Sequence, residues 1–256
     1  MPARESQALV LRTYPFQEAD LVVSFLARDQ GRLRGVARGA RRLRSRFGAG
    51  LERLAHVRMF YFQRENRDLV SLDSCELIDS HFDCSAEYSL GVTLDFLTEV
   101  SEQILPEHEP NERFFRLLLL VLEQLRQLGR REGPETGAGL WPALTYFHLW
   151  AVKLGGWLPE LGRCTSCRAP LDAEARAYYL RNLDGLACQR CRPGNAWTLA
   201  PESRAIAEEM LHNSLRRLTP RLWERSTAAD LRQFLLQRLE EPLERKLVTA
   251  PLIAEL

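Results

Sequence analysis

Through residue 80 the apolar positions come in short runs separated by polar turns. Residues 7–12 (QALVLR) form one run, which Tyr14 and Pro15 are expected to end. Residues 20–28 (DLVVSFLAR) form a second, closed by the turn Asp29-Gln30-Gly31. From Arg32 the order RLRGVAR alternates basic with apolar residues, as in a strand with one wet and one buried face. Residues 56–63 (HVRMFYFQ) and 69–78 (LVSLDSCELI) complete the set, joined by the polar turn RENRD at 64–68. Five short strands within about 75 residues, with Gly at the bends, predict a small closed barrel of the five-stranded OB-fold type.

Beyond residue 80 the apolar period lengthens to that of a helix. Residues 85–105 carry Leu94, Leu97, Ile104 and Leu105 at helical spacing and stop at Pro106. Residues 112–128 are apolar on a wide face and end at Gly129. A polar, Gly-rich loop at 130–139 leads to a helix over 141–154, closed by Gly155-Gly156 and Pro159. Further helices are expected at 201–217 and 227–245, the last kinked or ended by Pro242. The fold class is therefore α+β: an N-terminal barrel over residues 1–80, then an all-α helical body over 81–256, interrupted by an insert at 161–195.

That insert holds Cys164-x2-Cys167-x20-Cys188-x2-Cys191. Each CxxC puts two thiolates on one knuckle, and two knuckles supply the four tetrahedral ligands of a structural Zn²⁺ site, a four-cysteine zinc ribbon. Residues 178–180 and 182–185 between the pairs read as a strand and a turn. A redox dithiol is the competing reading, but it needs only one pair and a thioredoxin-like surround. With every ligand supplied by protein there is no open position for catalysis. Five arginines flank the knuckles (Arg163, Arg168, Arg181, Arg190 and Arg192), which leaves a secondary nucleic-acid contact open. Cys75 and Cys84 read as ordinary thiols.

Charge changes the picture of the barrel. The chain is nearly neutral at +1, yet residues 1–80 carry fourteen arginines against ten acids, and residues 81–160 carry six bases against twelve acids. Within the head, GRLRGVARGARRLRSRFG at 31–48 concentrates Arg32, Arg34, Arg38, Arg41, Arg42, Arg44 and Arg46 with no acidic residue. A solvated face usually mixes signs, whereas forked guanidinium groups at this density match a phosphate backbone. Arg32 and Arg34 flank Leu33 and so share one side of a strand. If six phosphates were engaged, single-strand binding would fall with salt at a slope of about −4. Phe60, Tyr61 and Phe62 could offer stacking platforms, although alternation sets Tyr61 on the other face and core packing is expected for two of the three.

The residues that would support catalysis are missing. No Gly-rich loop precedes either lysine, and the five histidines (56, 81, 108, 148 and 212) form no HxxxH or HExxH pair. Glu208-Glu209 and Glu240-Glu241 sit at adjacent helical positions, so their carboxylates diverge and suit no two-metal site. The longest apolar run, residues 117–122, is far short of the roughly 20 residues of a membrane span. The first dozen residues, MPARESQALVLR, lack the apolar stretch of a signal peptide. Together these suggest a non-enzymatic cytoplasmic protein with no membrane partner.

The segments ALVLRTYPFQEADLVVSFLARDQGRL at 8–33, VARGARRLRSRFGAGLERL at 36–54 and LGGWLPELGRCTSC at 154–167 resemble the RecO family of bacterial DNA repair proteins, and the likeness covers most of the chain. One departure is Arg168, where the family often has Gly after the second Cys. The resemblance implies an OB-fold barrel, a helical domain and a zinc ribbon. It also implies binding to single- and double-stranded DNA, annealing of complementary strands and association with the nucleoid. Its implied partners are RecR and the acidic C-terminal tail of single-stranded DNA-binding protein (SSB), in helping RecA load on SSB-coated strands. A protein-interaction adaptor, whose basic strip meets an acidic protein instead of DNA, is the alternative reading.

Overall fold

Alternation in the first 80 residues is realised as five strands: β1 (Ala3–Phe16), β2 (Asp20–Ala27), β3 (Gly31–Ala37), β4 (His56–Phe62) and β5 (Leu69–Asp79). They close into a barrel in the order β1-β2-β3-β5-β4, with β3 and β5 parallel and the other pairs antiparallel. This is the five-stranded OB-fold. The computed structural model describes residues 3–63, 68–129, 135–181 and 183–256. The expected turn at 64–68 and loop at 130–139 therefore lie partly outside the described residues, as does Asn182.

β1 is longer than the apolar run suggested, and Pro15 does not end it. Residues 3–9 pair with β4 and residues 8–16 with β2, and a bulge between Val10 and Arg12 bends the strand from one neighbour to the other. At Pro15 only β2 is paired, so the missing N–H interrupts no ladder on the open side. Inward-facing residues such as Val10, Phe25, Leu33, Val57, Met59 and Tyr61 fill the barrel. Tyr61 is the only one of the three consecutive aromatics in this core, where it meets Phe25 edge-on at 5.9 Å. Phe60 and Phe62 are half-buried on the outer side.

The chain divides into two compact units, residues 1–122 and 123–256. In the first, α1 (Tyr88–Ile104) follows the barrel, and the Glu87 carboxylate accepts from the Leu90 N–H at its N-terminus. The helix stops at Leu105, ahead of Pro106. Ion pairs Arg12–Glu102 (3.3 Å) and Arg53–Asp95 tie α1 to the barrel. Gly31, at φ +74°, lets β3 pass close to residue 109. A Cβ there would lie 2.1 Å from the Glu109 carbonyl oxygen.

α2 (Glu112–Gly129) begins in the first unit and ends in the second. α3 (Glu135–Leu154) starts six residues earlier than expected and carries Pro142 inside it. Its apolar periodicity does not reach so far back. There Gly139 lies close against α2, where a Cβ would meet the Leu128 side chain at 2.1 Å. α4 (Pro201–His212) is shorter than expected and is followed by a 3-10 turn at Leu215–Arg217. α5 (Ala229–Glu240) ends two residues before Pro242, and a short α6 (Ala250–Glu255) was not foreseen. Among the described residues no helix is long and apolar enough to cross a membrane.

Candidate nucleic-acid interface and metal centre

The seven strip arginines fall into two groups. Arg32 and Arg34 do share a side of β3, and both meet one carboxylate. Glu107 lies 3.2 Å from Arg32 and 2.8 Å from Arg34. Arg32 also donates to the Leu105 carbonyl at 2.9 Å and is largely covered. The remaining five lie in the segment between β3 and β4. Arg46 pairs with Asp73 at 2.8 Å, and Arg41 reaches the Glu18 carbonyl at 3.4 Å. Among the described residues Arg38, Arg41, Arg42 and Arg44 have no carboxylate within ion-pair distance, and all four are exposed.

Four other barrel arginines differ. Arg12, Arg28, Arg53 and Arg58 each pair with an acid, Glu102, Glu112, Asp95 and Glu5 respectively. Among the described barrel residues, the arginines without a carboxylate partner are Arg4, which meets Gln30, and the cluster in the loop at 38–44. That loop is held in place. The Gly39 N–H donates to the Asp20 carboxylate at 2.8 Å, the Arg41 N–H to the Ala19 carbonyl at 3.0 Å, and Phe47 is buried in the barrel. A fixed cluster of exposed guanidinium groups binds phosphate with little ordering cost.

The cysteines come together in the second unit. All four sulfurs lie within 4.8 Å of one another, and Cys167 Sγ is 3.8 Å from Cys188 Sγ. Sulfurs sharing a tetrahedral ion with bonds of about 2.3 Å sit about 3.8 Å apart. Each knuckle is closed by backbone: the Arg168 N–H donates to the Cys164 carbonyl at 2.9 Å, and the Cys191 N–H to the Cys188 carbonyl at 3.1 Å. Arg168 has φ +61°, so the turn keeps the left-handed geometry that Gly adopts freely, and the ligand set is unchanged by the departure.

Donor chemistry fits a dication. Burial opposes ionisation of Cys164, but N–H groups of Cys167, Cys188 and Ser166 outweigh it and hold the thiol at about 6. Cys191 is pushed up to about 12 by hydrogen bonding with Cys167 and Cys188. Four clustered thiolates repel one another, and a bound divalent cation relieves that repulsion. The four sulfur donors suit a tetrahedral soft or borderline metal such as zinc.

A small sheet positions the knuckles. β6 (Ala177–Tyr179) pairs with β7 (Trp197–Leu199), and Ala187, just before the second knuckle, exchanges hydrogen bonds with Tyr178. Tyr179 packs edge-on against Phe234 of α5 at 5.0 Å. Two buried arginines clamp the ribbon to helices. Arg204 of α4 donates to the Asp172 and Ala175 carbonyls at 2.9 Å, and Arg238 of α5 to those of Arg181 and Leu183 at 3.2 Å. Neither arginine stood out in the sequence, because a buried clamp has no distinctive spacing. Arg192 stacks over the Tyr178 ring at 4.7 Å, and Arg163 pairs with Glu160 at 3.1 Å.

Of the adjacent acidic pairs, Glu209 pairs with Arg221, and Glu240 and Glu241 face Arg181 and Arg238.

Comparison with known proteins agrees with this architecture. Residues 1–81 match the family model Recombination protein O N terminal, and residues 92–250 match Recombination protein O C terminal. The chain is 42% identical over 253 residues to DNA repair protein RecO of Koribacter versatilis, covering 99% of each chain. It is 30% identical over 254 residues to DNA repair protein RecO of an Anaeromyxobacter species, covering 96% of this chain and 94% of that one. With that of Cutibacterium acnes it shares 33% identity over 194 residues, 75% of this chain and 76% of the relative. An OB-fold barrel with a fixed basic loop, a helical body and a four-cysteine ribbon, matched along nearly the whole length, identify the chain as a member of the RecO family of DNA repair proteins.

Proposed function

We propose that this chain is a non-catalytic recombination mediator. It binds single- and double-stranded DNA without sequence specificity and anneals complementary strands. With RecR, it helps load RecA onto strands coated by single-stranded DNA-binding protein, whose C-terminal tail it contacts. The supporting observation is the cluster of exposed guanidinium groups at 38–44 that, among the described residues, meet no carboxylate, on a barrel where Arg12, Arg28, Arg53 and Arg58 are each paired with an acid. Such a surface neutralises phosphates and reads no bases, so it can hold two strands whose mutual repulsion would slow pairing. Phosphate contact falls first to Arg38, Arg41, Arg42 and Arg44, with Arg46 at the edge. Arg32 and Arg34 are shared with Glu107.

In this reading residues 1–80 form the DNA-binding domain and residues 81–256 the helical domain with its ribbon at 161–195. Cys164, Cys167, Cys188 and Cys191 hold a structural Zn²⁺, which fixes the two knuckles relative to each other and takes no part in a reaction. The protein works in the cytoplasm on nucleoid DNA. The deciding experiment is annealing of complementary strands coated with single-stranded DNA-binding protein. The wild-type chain should accelerate it, and reversal of the loop arginines should abolish the acceleration. If the reversed protein anneals normally, or if the wild-type chain binds an acidic protein but no DNA, the adaptor reading replaces this one.

A further inference from the structure

The basic loop carries one residue that its charge does not explain. Leu43 stands between Arg42 and Arg44 and is fully exposed, at 108%. A single surface leucine needs no special account. This one is held outward by the backbone on both sides. The Arg42 N–H donates to the Gly39 carbonyl at 3.1 Å, and the Ser45 N–H donates to the Arg42 carbonyl at 3.0 Å. Leu43 therefore occupies a corner of the hydrogen-bonded turn at 42–45, a position that polar residues and proline usually take. Ala40 and Phe47, on either side of the tip, pack into the barrel core.

A partner for this tip must offer negative charge and an apolar surface within one side chain's length of each other. Arg41, Arg42 and Arg44, which among the described residues meet no carboxylate, neighbour the leucine along the loop. An acidic peptide supplies both only where apolar side chains stand beside its carboxylates. A nucleic acid supplies both, because bases stand beside their phosphates, and an unpaired strand leaves the base faces open. An anionic bilayer also supplies both, but membership of a DNA repair family favours the strand.

We propose that Leu43 is an apolar wedge that the loop presses against the bases of a bound strand while the flanking arginines hold its phosphates. This rests on the DNA-binding reading above. The wedge gives the loop a preference that phosphate contacts alone do not. Unstacked bases accept the leucine directly, whereas a duplex must first unstack, which costs a few kcal/mol per step. A strand held with its bases parted is also a strand presented for pairing.

The test uses the full chain and an oligonucleotide carrying one 2-aminopurine, titrated at several salt concentrations. Leu43→Ser should fold normally, since the residue touches nothing, and melting followed by circular dichroism checks this. It should bind the single strand roughly tenfold more weakly, the loss expected for one buried leucine side chain. The slope against salt and the duplex affinity should stay as in wild type, and the 2-aminopurine signal on binding should disappear. Leu43→Phe should restore affinity and signal. Unchanged single-strand affinity and unchanged fluorescence in Leu43→Ser would overturn the wedge while leaving the phosphate reading intact. Absence of salt-dependent binding by the wild-type chain would overturn the DNA reading itself. Leu43-dependent binding to phosphatidylglycerol vesicles, with DNA binding untouched, would assign the tip to a membrane surface instead.

Discussion

Cys167 Sγ and Cys188 Sγ, twenty-one residues apart in the chain, lie 3.8 Å from each other. That distance matches the sulfur–sulfur edge of a four-thiolate zinc tetrahedron. Cys164→Ser should therefore lose the metal and destabilise the ribbon, while DNA binding by the barrel falls much less. Zinc content per chain, read by release to a chromogenic chelator, checks this. A variant that keeps its full zinc would remove Cys164 from the ligand set.

Arg41→Glu combined with Arg44→Glu should weaken DNA binding strongly at physiological salt without unfolding the barrel, because both side chains are exposed. Each lost phosphate contact should flatten the single-strand salt slope by about 0.7. Fluorescence anisotropy across a salt series measures both effects. Undiminished affinity would move the interface elsewhere.

Glu107 occupies two arginines at once. Glu107→Gln should release Arg34, and in part Arg32, for phosphate. Affinity should rise severalfold, and the salt slope should steepen by about 0.7 for each phosphate gained. An unchanged slope would mean that β3 does not face the strand.

Arg238 is almost fully covered and is held by ribbon carbonyls and by Glu241 at 2.6 Å. Arg238→Met should cost about 2–4 kcal/mol, because the carbonyls and the carboxylate lose their donor. Amide exchange at 177–187 should speed up while zinc content stays whole, since no ligand is touched. Equal exchange rates would show that Tyr179 and Arg204 suffice to dock the ribbon.

His148 is wholly buried in α3, and burial, followed by the nearby Arg232 charge, lowers its imidazole to about 3. Between about 3 and its ordinary 6.5 the unfolded chain binds a proton that the folded chain refuses. Stability should thus be lost as pH falls through 6.5, by up to about tenfold in the unfolding constant per pH unit. His148→Phe should flatten that part of the profile in urea titrations at pH 4–7.

The barrel was legible because a strand with one wet face writes its own period. The order of β3 in particular announced both its alternation and its charge. The ribbon was legible because a metal demands fixed spacing. Helix ends were read less well. α3 begins six residues early, where Gly139 lies against Leu128 of the preceding helix, and β1 passes through Pro15 because one of its sides is unpaired there. Neither feature is local.

The amino-acid sequence by itself determined the fold class, the four-cysteine cluster and the stretch of chain that holds the basic cluster, since strand period, CxxC spacing and charge are all written along the chain. Only the tertiary structure decided which arginines remain free. Arg34 and Arg44 look alike along the chain, yet a carboxylate 73 residues downstream of Arg34 meets it at 2.8 Å, while among the described residues Arg44 meets none. It also set Leu43 at a fixed corner among the guanidinium groups, because the turns and core anchors that hold it outward exist only once the barrel has closed.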